Sequence, residues 1–107
     1  MRFAKLEDFK GGWIIGNFEP TMLKTEDFEV AVLHHKAGKV IEKHYQVIAT
    51  EYNVMISGKM NVNGTIVTAG DVFTYEPMEL TEVEVLEETV VICVKTPSIP
   101  SDKVVVE

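Results

Sequence analysis

The sequence predicts a single all-β domain, built as a sandwich or barrel. Three observations carry this expectation. Sixteen Val, eight Ile and nine Thr make up 33 of the 107 residues, and β-branched side chains suit a pleated sheet better than a helix. Short runs of alternating apolar and polar residues recur between Gly, Asn and Pro turn signals. No stretch of about 11 residues or more holds a helical apolar period.

The N-terminal third, residues 1–27, contains Gly11-Gly12-Trp13 and Glu19-Pro20. It reads as irregular chain with one or two edge strands around Trp13-Ile14-Ile15. Short helices are expected at residues 5–8 and 25–28, where acidic residues follow a possible cap. The barrel core, residues 28–95, begins with a strand at 28–34. Further strands are expected at 51–57, 59–62, 65–67, 71–75, 82–86 and 90–95. Asn63-Gly64 marks a tight hairpin, because both central residues of a type I′ turn need positive φ. Ser57-Gly58-Lys59 and Ala69-Gly70-Asp71 read as two more turns, so the strands flanking each should pair antiparallel. Glu82, Glu84, Glu87 and Glu88 alternate with Val83, Val85 and Leu86, which places a solvated strand face over a buried one. The tail, residues 96–107, carries Pro97 and Pro100 and should run extended into a last strand at 103–106.

Ten Lys and Arg against seventeen Asp and Glu leave a net charge of −7. An acidic surface without a basic cluster repels phosphate backbones, so neither nucleic acid nor an anionic membrane is an expected partner. No apolar run approaches the roughly 18 to 20 residues that cross a bilayer. The start of the chain lacks the apolar stretch of a signal peptide. The expectation is a soluble, cytoplasmic protein. Cys93 is the only cysteine, which excludes an internal disulfide and any multi-cysteine metal site. Its apolar neighbours, Val91, Ile92 and Val94, make it a buried small residue rather than a reactive thiol.

Polar residues able to hold a metal or move a proton concentrate between Gly38 and Gly58: His44, Gln46, Glu51 and Asn53. Strand positions two apart share a face, so His44 projects with Gln46, and Glu51 with Asn53 and Met55. Imidazole and carboxylate are common ligands for borderline divalent metals and also serve as general base and acid. A carboxylate inside a barrel needs a partner: a metal, a protonated His44, a side-chain donor or a bound ligand. His34 and His35 adjoin on one strand, so one points inward and the other outward. Tyr75, Phe73, Met55 and Met60 read as core.

This segment resembles the first cupin motif, G-x5-H-x-H-x3-4-E-x6-G. Gly38, His44, Gln46, Glu51 and Gly58 fall at its spacings, with Gln46 in place of the second His. The second motif, G-x5-P-x-G-x2-H-x3-N, is eroded. Gly70 opens it, but Glu76, Met78, Thr81 and Val85 occupy its Pro, Gly, His and Asn slots. The resemblance spans roughly residues 28–94 and implies a cupin-type double-stranded β-barrel, or jelly roll. It implies a site of His44, Gln46 and Glu51 with Asn53 and Thr81 nearby. His44 and Glu51 would be the catalytic pair of any enzyme. His44, Gln46 and Glu51 would be the ligands of any divalent metal (Fe, Mn, Ni or Zn), weakly held because neutral oxygens replace imidazoles.

The leading expectation is a small-molecule-binding barrel for a sugar or a carboxylic acid. Three alternatives stand beside it. They are a metal-dependent dioxygenase or isomerase, a metal-free sugar or sugar-nucleotide epimerase or isomerase, and a non-catalytic interaction module. The resemblance also implies a homodimer, since cupins commonly pair through sheet edges and exchanged terminal strands.

Overall fold

The computed structural model describes residues 1–107. Eight strands form one curled sheet: β1 (Trp13–Ile15), β2 (Glu29–His35), β3 (Val40–Gln46), β4 (Thr50–Val62), β5 (Thr65–Thr68), β6 (Val72–Tyr75), β7 (Thr81–Thr96) and β8 (Lys103–Val105). Along one path the order is β1-β2-β7-β3-β8, while β4 joins β7 and also pairs with β5 and β6. Every pairing is antiparallel.

The two long strands organise the rest. β4 and β7 stay registered from Thr50↔Thr96 to Val62↔Val83, with irregular steps between Met55 and Met60. Those steps are where the ribbon bends so that its two halves line a barrel. Gly58 sits at this corner with φ of +92°. A Cβ added there would lie 2.3 Å from the Glu88 carbonyl oxygen and 2.6 Å from Thr89 Cα. The fully buried Thr89 locks the bend: its hydroxyl donates to the Glu87 carbonyl at 2.8 Å and accepts from the Lys59 amide at 3.2 Å.

This geometry revises several sequence expectations. Ser57-Gly58-Lys59 is a bend inside one strand, not a turn between two, because β7 remains paired across it. Residues 82–86 and 90–95 are likewise halves of one strand. The strands flanking Gly70 do not pair with each other: β5 pairs with the second half of β4 and β6 with its first half. Residues 40–46, the segment of His44 and Gln46, form a strand of their own between β7 and β8. Residues 25–28 form no helix, since Thr25 Oγ1 accepts the Asp27 amide at 3.1 Å in a local turn instead. A short 3-10 turn does form at Leu6–Asp8. Asn63 and Gly64, both at positive φ, close the expected β4–β5 hairpin.

The tail closes against the barrel. Asp102 is buried, and its carboxylate accepts the amides of Ile48 and Ala49 at 2.8 to 3.1 Å, tying the tail to the β3–β4 loop. Beyond it, β8 adds to the free edge of β3. The apolar core, Met55, Met60, Val62, Val67, Tyr75, Val83, Val85 and Val91, fills the interior, with Leu33, Ile41 and Phe73 packed on it. In β7, Val83 and Val85 are buried while Glu82, Glu84, Glu87 and Glu88 are exposed, as their alternation predicts; Leu86 falls out of phase and is exposed at the bend. No helix is long and apolar enough to cross a membrane.

The two glycines that bound the first motif should respond differently to alanine. Gly38 also has positive φ, but a Cβ there meets nothing within 4 Å. Gly38→Ala should cost about 1 kcal/mol from backbone strain alone. Gly58→Ala should cost at least about 3 kcal/mol, since strain is joined by a clash with the β7 backbone. Urea unfolding of both variants gives the comparison.

Candidate functional site

The barrel encloses a cavity of about 390 Å³ whose wall includes all five sequence-predicted site residues: His44, Gln46, Glu51, Asn53 and Thr81. The sheet register explains why they converge. In one row across β6, β4, β7 and β2, Tyr75, Glu51, Lys95 and Glu29 stand side by side. The next row holds Phe73, Asn53, Cys93 and Ala31. Met55 and Val91 begin the apolar interior in the row beyond. Across the barrel, β3 carries His44 opposite Thr81 and Gln46 opposite Lys103. Polarity therefore falls row by row from the mouth to the core.

Glu51 finds its partners within the protein. Its Oε2 accepts from Asn53 Nδ2 at 3.1 Å, and its Oε1 lies 3.8 Å from Lys95 Nζ. The same ammonium lies 3.8 Å from Glu29 Oε1 and 4.8 Å from the centre of the Trp13 ring. Glu29 Oε2 in turn accepts from the Ser98 hydroxyl at 2.9 Å, and that hydroxyl accepts the Asn17 amide at 2.9 Å. One cation is thus held between two buried carboxylates, with an aromatic face beside it. Glu29, Lys95 and Trp13 were not singled out from sequence. The signal was present for Lys95, which follows Val91 and Cys93 at two-residue spacing in an alternating strand.

His44 is half-buried, and its Nδ1 donates to the Glu42 carbonyl at 2.7 Å. In the neutral ring that bond puts the proton on Nδ1 and leaves the lone pair on Nε2. No bond joins His44 to Glu51. Thr81 is buried and donates to the Glu79 carbonyl at 3.4 Å. Gln46 is only 5% exposed, and its Nε2 has no hydrogen-bond partner. A buried amide N–H without an acceptor costs roughly 1 to 3 kcal/mol.

Two other polar groups on the wall are held neutral. Burial, and then the Glu51 charge, push both the Tyr75 phenol and the Cys93 thiol well above their ordinary values. Cys93 is 1% exposed, the buried thiol that its apolar neighbours predicted. Of the adjacent histidines, His35 faces the cavity, while the exposed His34 lies on the outer surface beside Lys5 and Gly12. The pKa of His35 is lowered from 6.5 by burial, then by Lys39 and His34. Lys39 Nζ also donates to His35 Nδ1 at 3.4 Å, which requires the neutral ring.

No family model matches the sequence, nor does any curated protein. Solved structures do match. An uncharacterised conserved protein with a double-stranded β-helix domain from Klebsiella pneumoniae superposes with a TM-score of 0.72 at 21% identity, covering 99% of this chain and 92% of that one. An RmlC-like cupin from Shewanella frigidimarina gives 0.61 at 16% identity, covering 70% of each chain. The chain has the cupin fold. The pirin YhhW from Escherichia coli, solved in complex with nickel(II), shares this fold with a TM-score of 0.67 at 10% identity, covering 81% of this chain and 39% of that one.

A divalent ion on His44, Gln46 and Glu51 would be the cupin-type arrangement that the first motif implies. The donors of this cupin-fold barrel do not fit one. No three His, Cys, Asp or Glu side chains gather around one point. Gln46 offers only a neutral amide oxygen, both Glu51 oxygens are engaged, and the Lys95 ammonium would stand beside the cation.

Two measurements follow from this charge arrangement. Lys95→Met should destabilise the fold by about 3 kcal/mol in urea unfolding, because two buried carboxylates lose their shared cation. Adding Glu51→Gln should recover part of that loss; a change under about 1 kcal/mol would mean that the carboxylates are solvated.

The depressed His35 binds its proton more weakly folded than unfolded, so its contribution to stability is present above pH 6.5 and is lost on acidification below it. The midpoint of thermal unfolding should fall between pH 7 and 5, and His35→Gln should fall less.

Proposed function

We propose that this protein binds a small polar molecule inside the barrel, in the cavity bounded by His44, Gln46, Glu51, Asn53 and Thr81. The observation that carries the reading is the Gln46 amide, which lines an open cavity of about 390 Å³ and whose buried Nε2 lacks an acceptor until the side chain turns toward a bound molecule. Such a donor is retained where a bound acceptor satisfies it, and the volume lies within the range of small-molecule sites. The polarity gradient supports the same reading. An apolar floor of Leu33, Met60, Val83 and Val91 lies beneath polar walls, which is the usual composition of a ligand pocket.

Both sugars and small carboxylic acids offer acceptors for Gln46. If the bound molecule is also turned over, His44 is the group placed to take a proton, through the Nε2 lone pair that its bond to Glu42 leaves free. A homodimer and a cytoplasmic setting remain part of the proposed biology, both drawn from the sequence reading.

Gln46→Leu separates binding from folding. Replacing a buried unpartnered amide with an apolar side chain of similar size should leave stability unchanged or raise it by about 1 kcal/mol. The same change should weaken by tenfold or more whatever sugar or carboxylic acid the wild-type chain binds in ligand-observed NMR screening. A structural glutamine would show the reverse: lost stability and unaltered binding.

A further inference from the structure

Lys103 opens β8 and stands directly opposite Gln46 in the β3–β8 ladder. Directly paired residues share a sheet face, and both side chains line the cavity. The lysines in ion pairs are Lys24, Lys43, Lys59 and Lys95, so the exposed Lys103 ammonium is uncommitted. Its sequence neighbour Asp102 does not neutralise it, since that carboxylate is buried against the Ile48 and Ala49 amides. Gln46 Nε2, buried and unpaired, and Lys103 Nζ, exposed and unpaired, are thus two unused donors on adjacent strands of one wall, and a small turn of the Gln46 amide brings the first to face the cavity.

A second cavity, of about 280 Å³, adjoins the first and shares Trp13, Lys95 and Lys103 with it. Its other walls come from the N-terminal segment and the tail, including Lys10, Phe18 and Pro100. The acidic groups around the two spaces are largely spoken for. Glu19 pairs with Lys24, while Glu29 and Glu51 share the single Lys95 and so keep one net negative charge, and the exposed Glu42 is free of a cation. On a chain of net charge −7, Lys10, Lys39 and Lys103 outnumber Glu42 and the one uncancelled carboxylate, which leaves a small positive excess at this mouth.

We propose that the ligand is a small organic anion whose carboxylate sits between the Gln46 amide and the Lys103 ammonium, with the rest of the molecule extending past Trp13 toward the second cavity. The assignment rests on the barrel-ligand reading above and adds the charge and position of the bound group. A carboxylate only accepts hydrogen bonds, and it meets two donors, the Gln46 Nε2 and the Lys103 ammonium. A neutral sugar hydroxyl gains less from the Lys103 ammonium than a carboxylate does, because the charge-assisted bond is the stronger one. The partly closed barrel strengthens the attraction relative to open water, while the chain's overall negative charge weakens long-range capture.

The test is a nitrogen-15 NMR titration of the full chain with matched probes: succinate against succinamide, and gluconate against glucose. Succinate and gluconate should shift amides of β3, β8 and the first half of β4, while their neutral counterparts should not. Lys103→Gln should weaken succinate and gluconate at least tenfold, and Lys103→Glu should weaken them further. Lys36→Gln, an exposed lysine in the β2–β3 turn, serves as the charge control and should change affinity less than twofold. Lys103 is exposed, and the amide spectrum of each variant reports directly that it is folded.

Carboxylate binding indifferent to Lys103→Gln would overturn the placement. Equal binding of glucose or succinamide would overturn the carboxylate assignment while leaving the barrel-ligand reading intact. No shift at the cavity with any of the four probes would overturn the anion proposal. Failure of the broader sugar and acid screen would then remove the barrel-ligand reading as well.

Discussion

The ladder between β4 and β7 is the constraint on which the rest of the structure depends. Each strand is too long to lie flat in a sheet of this size, so the pair must bend, and it bends where Gly58 lets the β7 backbone approach. All the other long-range pairings except β1–β2 and β3–β8 are made to one of these two strands. β2 and β3 attach to opposite halves of β7, while β5 and β6 attach to opposite halves of β4. A Cβ at the corner would therefore disturb more than one local contact, since it would change the angle between the two halves of the barrel.

The same ladder sets the chemistry of the interior. Because register fixes which residues share a row, Glu51 of β4 is brought beside Lys95 of β7 and Tyr75 of β6, and Lys95 beside Glu29 of β2. Burying two carboxylates around one ammonium is costly unless the remaining oxygens are satisfied, and Asn53 and Ser98 supply those bonds. These bonds engage both Glu51 oxygens, which limits what Glu51 can do for a ligand or a metal. On the opposite wall, Gln46 and Lys103 are the unspent groups. The pocket is thus asymmetric, with one side largely paired internally but one negative charge in excess, and the other offering donors.

The strand content, the Asn63-Gly64 hairpin and the inward set of His44, Gln46, Glu51 and Asn53 were legible from composition, turn chemistry and two-residue alternation. The corner at Gly58 was misread as a turn because Ser-Gly-Lys carries the same local signal whether the chain reverses or bends. Only the unbroken pairing with β7 distinguishes the two. Lys95 was passed over because a lysine near a proline-rich tail looks like the solvated end of a strand. Its burial depends on Trp13 and Glu29, which lie more than sixty positions away in sequence.

By itself, then, the sequence determined an all-β chain, the cupin-type spacing of its first motif and the inward set of His44, Gln46, Glu51 and Asn53. These follow from local rules, in which β-branching selects the sheet and alternation selects the face. Only the tertiary structure decided who partners whom: that Glu51 is paired with Lys95, that Gln46 is left without an acceptor, and that Lys103 from the tail comes to stand beside it. Those outcomes depend on register between strands distant in sequence. A shift of one residue would turn each side chain to the other face, and no local pattern specifies that choice.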